Sequence, residues 1–248
     1  MQQHQARGLQ RMFAGHGARV VSVMAGPSAP ESHEFVLALA AELSRNAHRV
    51  WLVEGMGGAI SKQLGCRPLL PWRANQPLEQ QVIRAGSYGL IHAPNCMAGD
   101  AVLAGAAREN RGCDYLLFDG RRFTQNEALL DPASEQTVIV LLGGQDAEAG
   151  YALVKALITK QSPGRILLLG EAADSVAQAT RQFMGQGVES RQTEAGLCQI
   201  GNKKSETSSN TLTIAPNLAW VVSRITQNDQ PKVAHGGFSK GAEEVYKR

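Results

Sequence analysis

A layered α/β fold built on a mostly parallel, doubly wound sheet flanked by helices is what this chain predicts. Three observations carry that prediction. The apolar runs are continuous rather than alternating, which marks strands covered on both faces. They alternate with helical patterns, which marks right-handed crossover units. Hydrophobic residues make up 43% of the 248-residue chain but aromatics only 5%. Small aliphatic side chains therefore carry the packing, as in closely layered α/β domains.

Taken in order, RVVSVMA (19–25) reads as a buried strand. SHEFVLALAAELSRNA (32–47) reads as a helix, because Phe35, Leu39 and Leu43 recur every four residues. RVWLVEG (49–55), GLIHAP (89–94), DYLLFDG (114–120), TVIVLLG (137–143) and RILLLG (165–170) supply five further strands. Between the last two lies a helix at 146–161, and a second at 173–187 follows the sixth strand. Residues 1–18 form a polar arm with Ala6, Leu9 and Phe13 on one helical face. Residues 19–200 form the α/β body. Residues 201–248 read as a partly disordered tail, opening on a Ser/Thr/Asn-rich linker. Within the tail, NLAWVVSRITQ after Pro216 reads as a short buried apolar helix or strand.

Charge and cysteine usage narrow the function classes. The net charge of +3 sits in residues 201–248, which hold seven basic and four acidic residues, so the body is neutral. That pattern gives no footprint for specific nucleic-acid binding. The four cysteines (Cys66, Cys96, Cys113, Cys198) lack metal-ligand spacing and read as reduced thiols of a cytoplasmic protein. The six histidines contain no H-x-x-x-H pair, so no metal site is expected. No stretch approaches the ~20 apolar residues that span a bilayer.

In parallel sheets of this kind ligands bind beyond the carboxyl ends of the strands, so the loop after the first strand matters most. It reads VMAGPSAPESHEF (23–35). A phosphate-binding loop there needs consecutive backbone N–H donors, glycines and a lysine. Gly26 is its single glycine, Pro27 and Pro30 each remove a donor, and no lysine precedes Lys62. Ser28 and Glu31 have capping-box spacing. A carboxylate at that helix start stands in for a phosphate charge and repels a triphosphate.

The order of elements resembles the MinD/ParA superfamily of deviant-Walker P-loop ATPases, and within it the flagellar-placement branch, FlhG/FleN. Gln5, Ala6 and Leu9 of HQARGLQR (4–11) match that branch's N-terminal motif, and GYALVKAL (150–157) parallels one of its helices. His4 and Gln10 depart from the motif, although Arg11 follows. The resemblance spans roughly residues 4–190. It puts the family's signature lysine at Pro27, its P-loop lysine at Ser32, and its Mg²⁺-binding threonine at His33. The water-activating Asp falls at Glu54 and the Walker-B-like Asp at Asp119, while the adenine-contacting Asn is absent from RILLLG. The resemblance therefore implies a degenerate nucleotide loop (Gly26, Pro27, Ser28, Pro30, Glu31, Ser32, His33). Glu54 and Asp119 are its vestigial carboxylates, and no ATP or Mg²⁺ cofactor is expected.

It also implies a partner. The family's N-terminal arm contacts an FlhF-like, signal-recognition-type GTPase, so Gln5, Ala6, Leu9, Arg11 and Phe13 are the expected contact residues. Gln5 is the candidate to orient an attacking water in the partner's site. The favoured expectation is a non-catalytic regulator or scaffold in flagellar number or placement, recruited to the cell pole or membrane by partners and making no membrane contact of its own. The alternatives are a weak non-standard ATPase using Asp119 and Glu54, and a pilus-assembly localisation scaffold of the CpaE/TadZ type.

Overall fold

The computed structural model describes residues 18–26, 29, 32–55, 57–66, 70–94, 101–110, 112–122, 138–143, 146–160, 165–193 and 216–227. The N-terminal arm, Pro27, Ser28, Pro30, Glu31 and the linker after residue 200 lie outside them.

The described strands are β1 (Arg19–Ala25), β2 (Val50–Glu54), β3 (Ile83–Ala85), β4 (Tyr88–His92), β5 (Tyr115–Arg122), β6 (Val138–Leu142), β7 (Ile166–Gly170) and β8 (Glu189–Gln192). They form one sheet in the order β3-β4-β2-β5-β1-β6-β7-β8. Every pairing is parallel except the β3–β4 hairpin. The helices are α1 (Ser32–Arg45), α2 (Ala59–Gln63), α3 (Ala101–Asn110), α4 (Ala147–Lys160), α5 (Ala173–Met184) and α6 (Pro216–Thr226). The doubly wound architecture expected from the continuous apolar runs is the one found.

Alternation along the strands feeds two cores. Val20 and Met24 of β1 join residues of α3, α4 and α5 on one face, including Leu103, Val154 and Val176. Val21, Val23 and Ala25 join Leu39 and Leu43 of α1 and Val221 and Ile225 of α6 on the other. Both faces of β1 are thus dry, which is why RVVSVMA shows no polar period.

Among the described residues, four strands and α-helices went unread in the sequence, besides a 3-10 turn at Leu78–Gln80. β3 is three residues long. β8 is polar because it lies at the sheet's other edge. α2 is a five-residue turn of helix. α3 is rich in alanine and buries small side chains, Ala104 and Ala107 among them, so its apolar stripe is faint in the sequence.

Residues 216–226, which the sequence assigned to the tail, form α6 against α1 and bury Leu218, Val221, Val222 and Ile225. Two arginines at the amino-terminal end of the parallel strands hold its C-terminus. Arg19 Nη1 donates to the Ile225 carbonyl at 2.5 Å, and Arg165 Nη1 donates to the Arg224 carbonyl at 2.7 Å. Helix C-termini present unpaired carbonyls and partial negative charge, so cations are favoured there.

Cys113, just before β5, is buried, whereas Cys66 is half-buried; both are free thiols. Burial, then the Asp114 carboxylate, pushes the Cys113 thiol from its ordinary 9.0 up to about 12, against the opposing pull of Arg49. Between those values only the unfolded chain gains by ionising. Cys113 therefore leaves stability unchanged below pH 9 and lowers it as pH rises through that window. Since the thiolate is the nucleophile, iodoacetamide at neutral pH is expected to label Cys66 in the native protein and Cys113 only after denaturant is added. Peptide mass spectrometry reads this directly.

Candidate functional site

The carboxyl ends of the central strands carry a row of polar side chains. Glu54 ends β2 and His92 ends β4, and the two are register partners. On the other side of β2, Val53 pairs with Phe118, so Glu54 and Asp119 stand at neighbouring levels of β2 and β5. Asp119 in turn pairs with Val23 of β1. Parallel register partners point to the same side of a sheet. All three polar residues therefore belong to the face that carries α1, α2 and α6.

Asp119 is positioned by a β-bulge. Val23 pairs with Asp119 but Ala25 pairs with Arg122, so β5 holds one extra residue at 120–121. Gly120 occupies the bulge because a Cβ there would lie 2.7 Å from the Val23 carbonyl oxygen and 2.9 Å from Met24 Cγ. The half-buried Asp119 accepts a hydrogen bond through Oδ1 from the hydroxyl of Ser32. Ser32 is the first residue of α1 and is 1% exposed.

Backbone donors at the start of this loop are engaged within the fold. Gly26 N–H donates to the Leu142 carbonyl of β6 at 2.8 Å, and Ala29 N–H donates to the Gly26 carbonyl at 3.1 Å. A Cβ on Gly26 would meet Leu142 O at 3.3 Å. The glycine thus answers to a close approach of β6. His33 is half-buried on α1.

Glu54 is 1% exposed. Its Oε2 accepts the Ser61 backbone N–H at 2.8 Å, and Ser61 Oγ donates to the Gly58 carbonyl at 3.0 Å. Gly58 is left-handed (φ 59°) and turns the chain from β2 into α2. The glycines of GMGG therefore build a turn that grips a carboxylate. Glu54 Oε1 lies 3.3 Å from His92 Nδ1.

The structure thus brings Ser32 to Asp119 and sets Glu54 between Asp119 and His92. His92 went unread in the sequence, where it was one of six histidines without metal-ligand spacing. A signal existed: Glu54 and His92 are each the last residue of an apolar strand, VWLVE and YGLIH. The signal becomes legible only once β2 and β4 are known to be adjacent. Gln5, Ala6, Leu9, Arg11 and Phe13 lie outside the described residues. Among the described residues no three His, Cys, Asp or Glu side chains group to hold a metal ion, and no helix is long and apolar enough to cross a membrane.

No protein-family model matches the chain, and comparison with curated proteins finds no match. Solved structures do resemble it. The MinD cell division protein of Aquifex aeolicus superposes with a TM-score of 0.50 at 10% identity, covering 72% of this chain and 84% of that protein. McdA from Cyanothece gives 0.49 at 11% identity over 71% and 87% of the two chains. A plasmid partition protein from Borrelia burgdorferi gives 0.43 at 13% identity over 70% and 88%. At such identity the likeness to MinD is one of fold.

Proposed function

We propose that this chain is a non-catalytic, MinD/FlhG-like regulator or scaffold that acts through protein contacts rather than through a nucleotide switch. The observation that carries the reading is the hydrogen bond from Ser32 to Asp119. In the resemblance these are the positions of the P-loop lysine and the Walker-B-like carboxylate. Here a neutral hydroxyl fills the first and occupies the second. The engaged N–H groups of Gly26 and Ala29 support the same reading, as do Pro27 and Pro30, which have no N–H to give. Together these residues do not fit a triphosphate cradle, which needs free N–H donors and a cation. MinD is a cell division protein by name. The QA-x-x-L arm and the YALVKAL helix point this chain instead toward flagellar number or placement, with an FlhF-like GTPase as partner of Gln5, Ala6, Leu9, Arg11 and Phe13.

Calorimetry of the full-length protein against ATP and ADP with Mg²⁺, up to millimolar nucleotide, tests the first half. No binding heat is expected, and micromolar affinity overturns the proposal. For the second half, the full-length protein is expected to raise the GTP hydrolysis rate of an FlhF-like GTPase, and Gln5→Ala is expected to remove that stimulation. An unchanged rate with wild-type protein overturns the proposed partner.

A further inference from the structure

We propose that β8 is the acceptor edge for an extended acidic segment of a protein partner, which joins the sheet as a further strand. The proposal rests on the reading that this chain works through protein contacts. β8 stands last in the sheet order, and its outer side pairs with nothing among the described residues. It runs in regular register with β7, without a bulge or a proline. None of its four residues is fully buried, so burial of its own side chains does not hold it. Polar clamps do. Arg165 and Arg224 both grip Glu189. The Ser190 hydroxyl donates to Asp174 Oδ1 at 2.8 Å, and the Thr193 N–H donates to the Gly170 carbonyl at 3.2 Å. The edge is thus built before anything reaches it, which lowers the ordering cost of binding.

The main chain sets what this edge offers. In a parallel ladder one residue directs both its N–H and its C=O to one neighbour, and the next directs both to the other side. The Thr193 N–H points to β7. Glu189 and Arg191 therefore face β7 as well, while Ser190 and Gln192 turn their main-chain groups outward. Two N–H donors and two C=O acceptors are thus open to an added strand. Main-chain pairing of this kind supplies affinity, and the side chains beside it supply specificity.

Charge selects the partner. Glu189 and Arg191 are register partners of Leu167 and Leu169, which belong to the core beneath α1 and α6, so both project on that face. Arg165 and Arg224 meet Glu189 there, which sets three guanidinium groups against one carboxylate. Among the described residues, the Arg191 side chain has no hydrogen-bond or ion-pair partner. Opposite charges across a strand pair stabilise it and like charges oppose it. An incoming Glu or Asp opposite Arg191 is therefore favoured, and a basic strand is refused. A second copy of this chain fits less well. Antiparallel pairing of β8 with itself about Ser190 would bring Arg191 to the Glu189 of the other copy. Both oxygens of that carboxylate already serve Arg165 and Arg224 of its own chain.

The test titrates full-length protein into two fluorescein-labelled peptides, TVEVEVT and TVKVKVT, and reads fluorescence anisotropy. It involves neither nucleotide nor GTPase, so its failure and the failure of the regulator reading are separate results. TVEVEVT is expected to bind saturably and about tenfold tighter than TVKVKVT. The acidic peptide methylated at its central main-chain nitrogens keeps its charge but loses its N–H donors, and is expected not to bind. Arg191→Glu, which removes no side-chain contact among the described residues, is expected to weaken TVEVEVT by roughly tenfold. Should the reversal disturb folding, Arg191→Gln is expected to weaken it by about threefold. No saturable binding by the wild-type chain overturns the proposal, whether the edge is idle or covered by residues of the chain itself. Equal binding of the methylated peptide, or of TVEVEVT to a folded Arg191 variant, overturns it too. So does a dimer that Arg191→Glu dissociates, which would assign the edge to a second copy.

Discussion

Arg165→Ala is expected to lower Tm by roughly 4–8 °C, corresponding to about 2 kcal/mol for a chain of this size. The guanidinium stands before β7 and serves two elements at once. It donates to the Arg224 carbonyl at the end of α6, and through Nε (2.8 Å) and Nη2 to Glu189 of β8. Hydrogen bonds to charged groups are worth about 1.5–3 kcal/mol each. The side chain is 22% exposed and Glu189 35%, so solvent screening trims the sum. Arg224 also approaches Glu189, at 3.2 Å, and offsets part of the lost charge. Arg165→Lys is expected to recover less than half the loss, because a point charge cannot reproduce the fork that reaches both partners. Thermal denaturation followed by circular dichroism checks both variants. A Tm within 1 °C of wild type for Arg165→Ala would show that apolar packing alone docks α6.

Gly120→Ala carries the second large effect. Its Cβ would lie 2.7 Å from the Val23 carbonyl oxygen, and that neighbour is main chain, so β1 or β5 must move. Overpacking of this kind costs about 1–3 kcal/mol. The displacement would fall next to Asp119 and pull its carboxylate from the Ser32 hydroxyl, which is too buried to find water instead. A urea unfolding series on Gly120→Ala, Ser32→Ala and the double variant separates the two contributions. Sub-additive losses are expected, because the residues share one local arrangement. Strict additivity would mean that the bulge does not position Asp119.

The layered core was readable because burial on both faces leaves a direct trace: long runs of Val, Leu and Ile with no polar interruption, as in VIVLL and ILLLG. Elements that bury little leave little trace. β8 reads ESRQ, with no fully buried residue, and nothing in its local sequence separates it from a loop. β3 is a strand because β4 offers it a free edge, which is information about topology. The candidate site divides the same way. Glu54 and Asp119 were legible because each terminates an apolar run. The link from Ser32 to Asp119 joins residues 87 apart, and the approach of His92 to Glu54 depends on strand order, which no local pattern encodes.

The return of α6 has a consequence for how the chain is made. Arg19 opens the first strand and holds the carbonyl of Ile225, 206 residues later. During synthesis from the amino end, Leu39, Leu43 and the facing strand residues have no cover from α6 until the segment Pro216–Thr226 has emerged. At about 5–20 residues per second, that interval lasts on the order of 10–40 s. Contacts this distant in sequence also slow the final closure. A ribosome-stalled or truncated chain ending before residue 216 would present an open apolar face, a substrate for chaperones and a seed for aggregation. Docking of α6 is thus the step that closes this apolar face of the nascent chain.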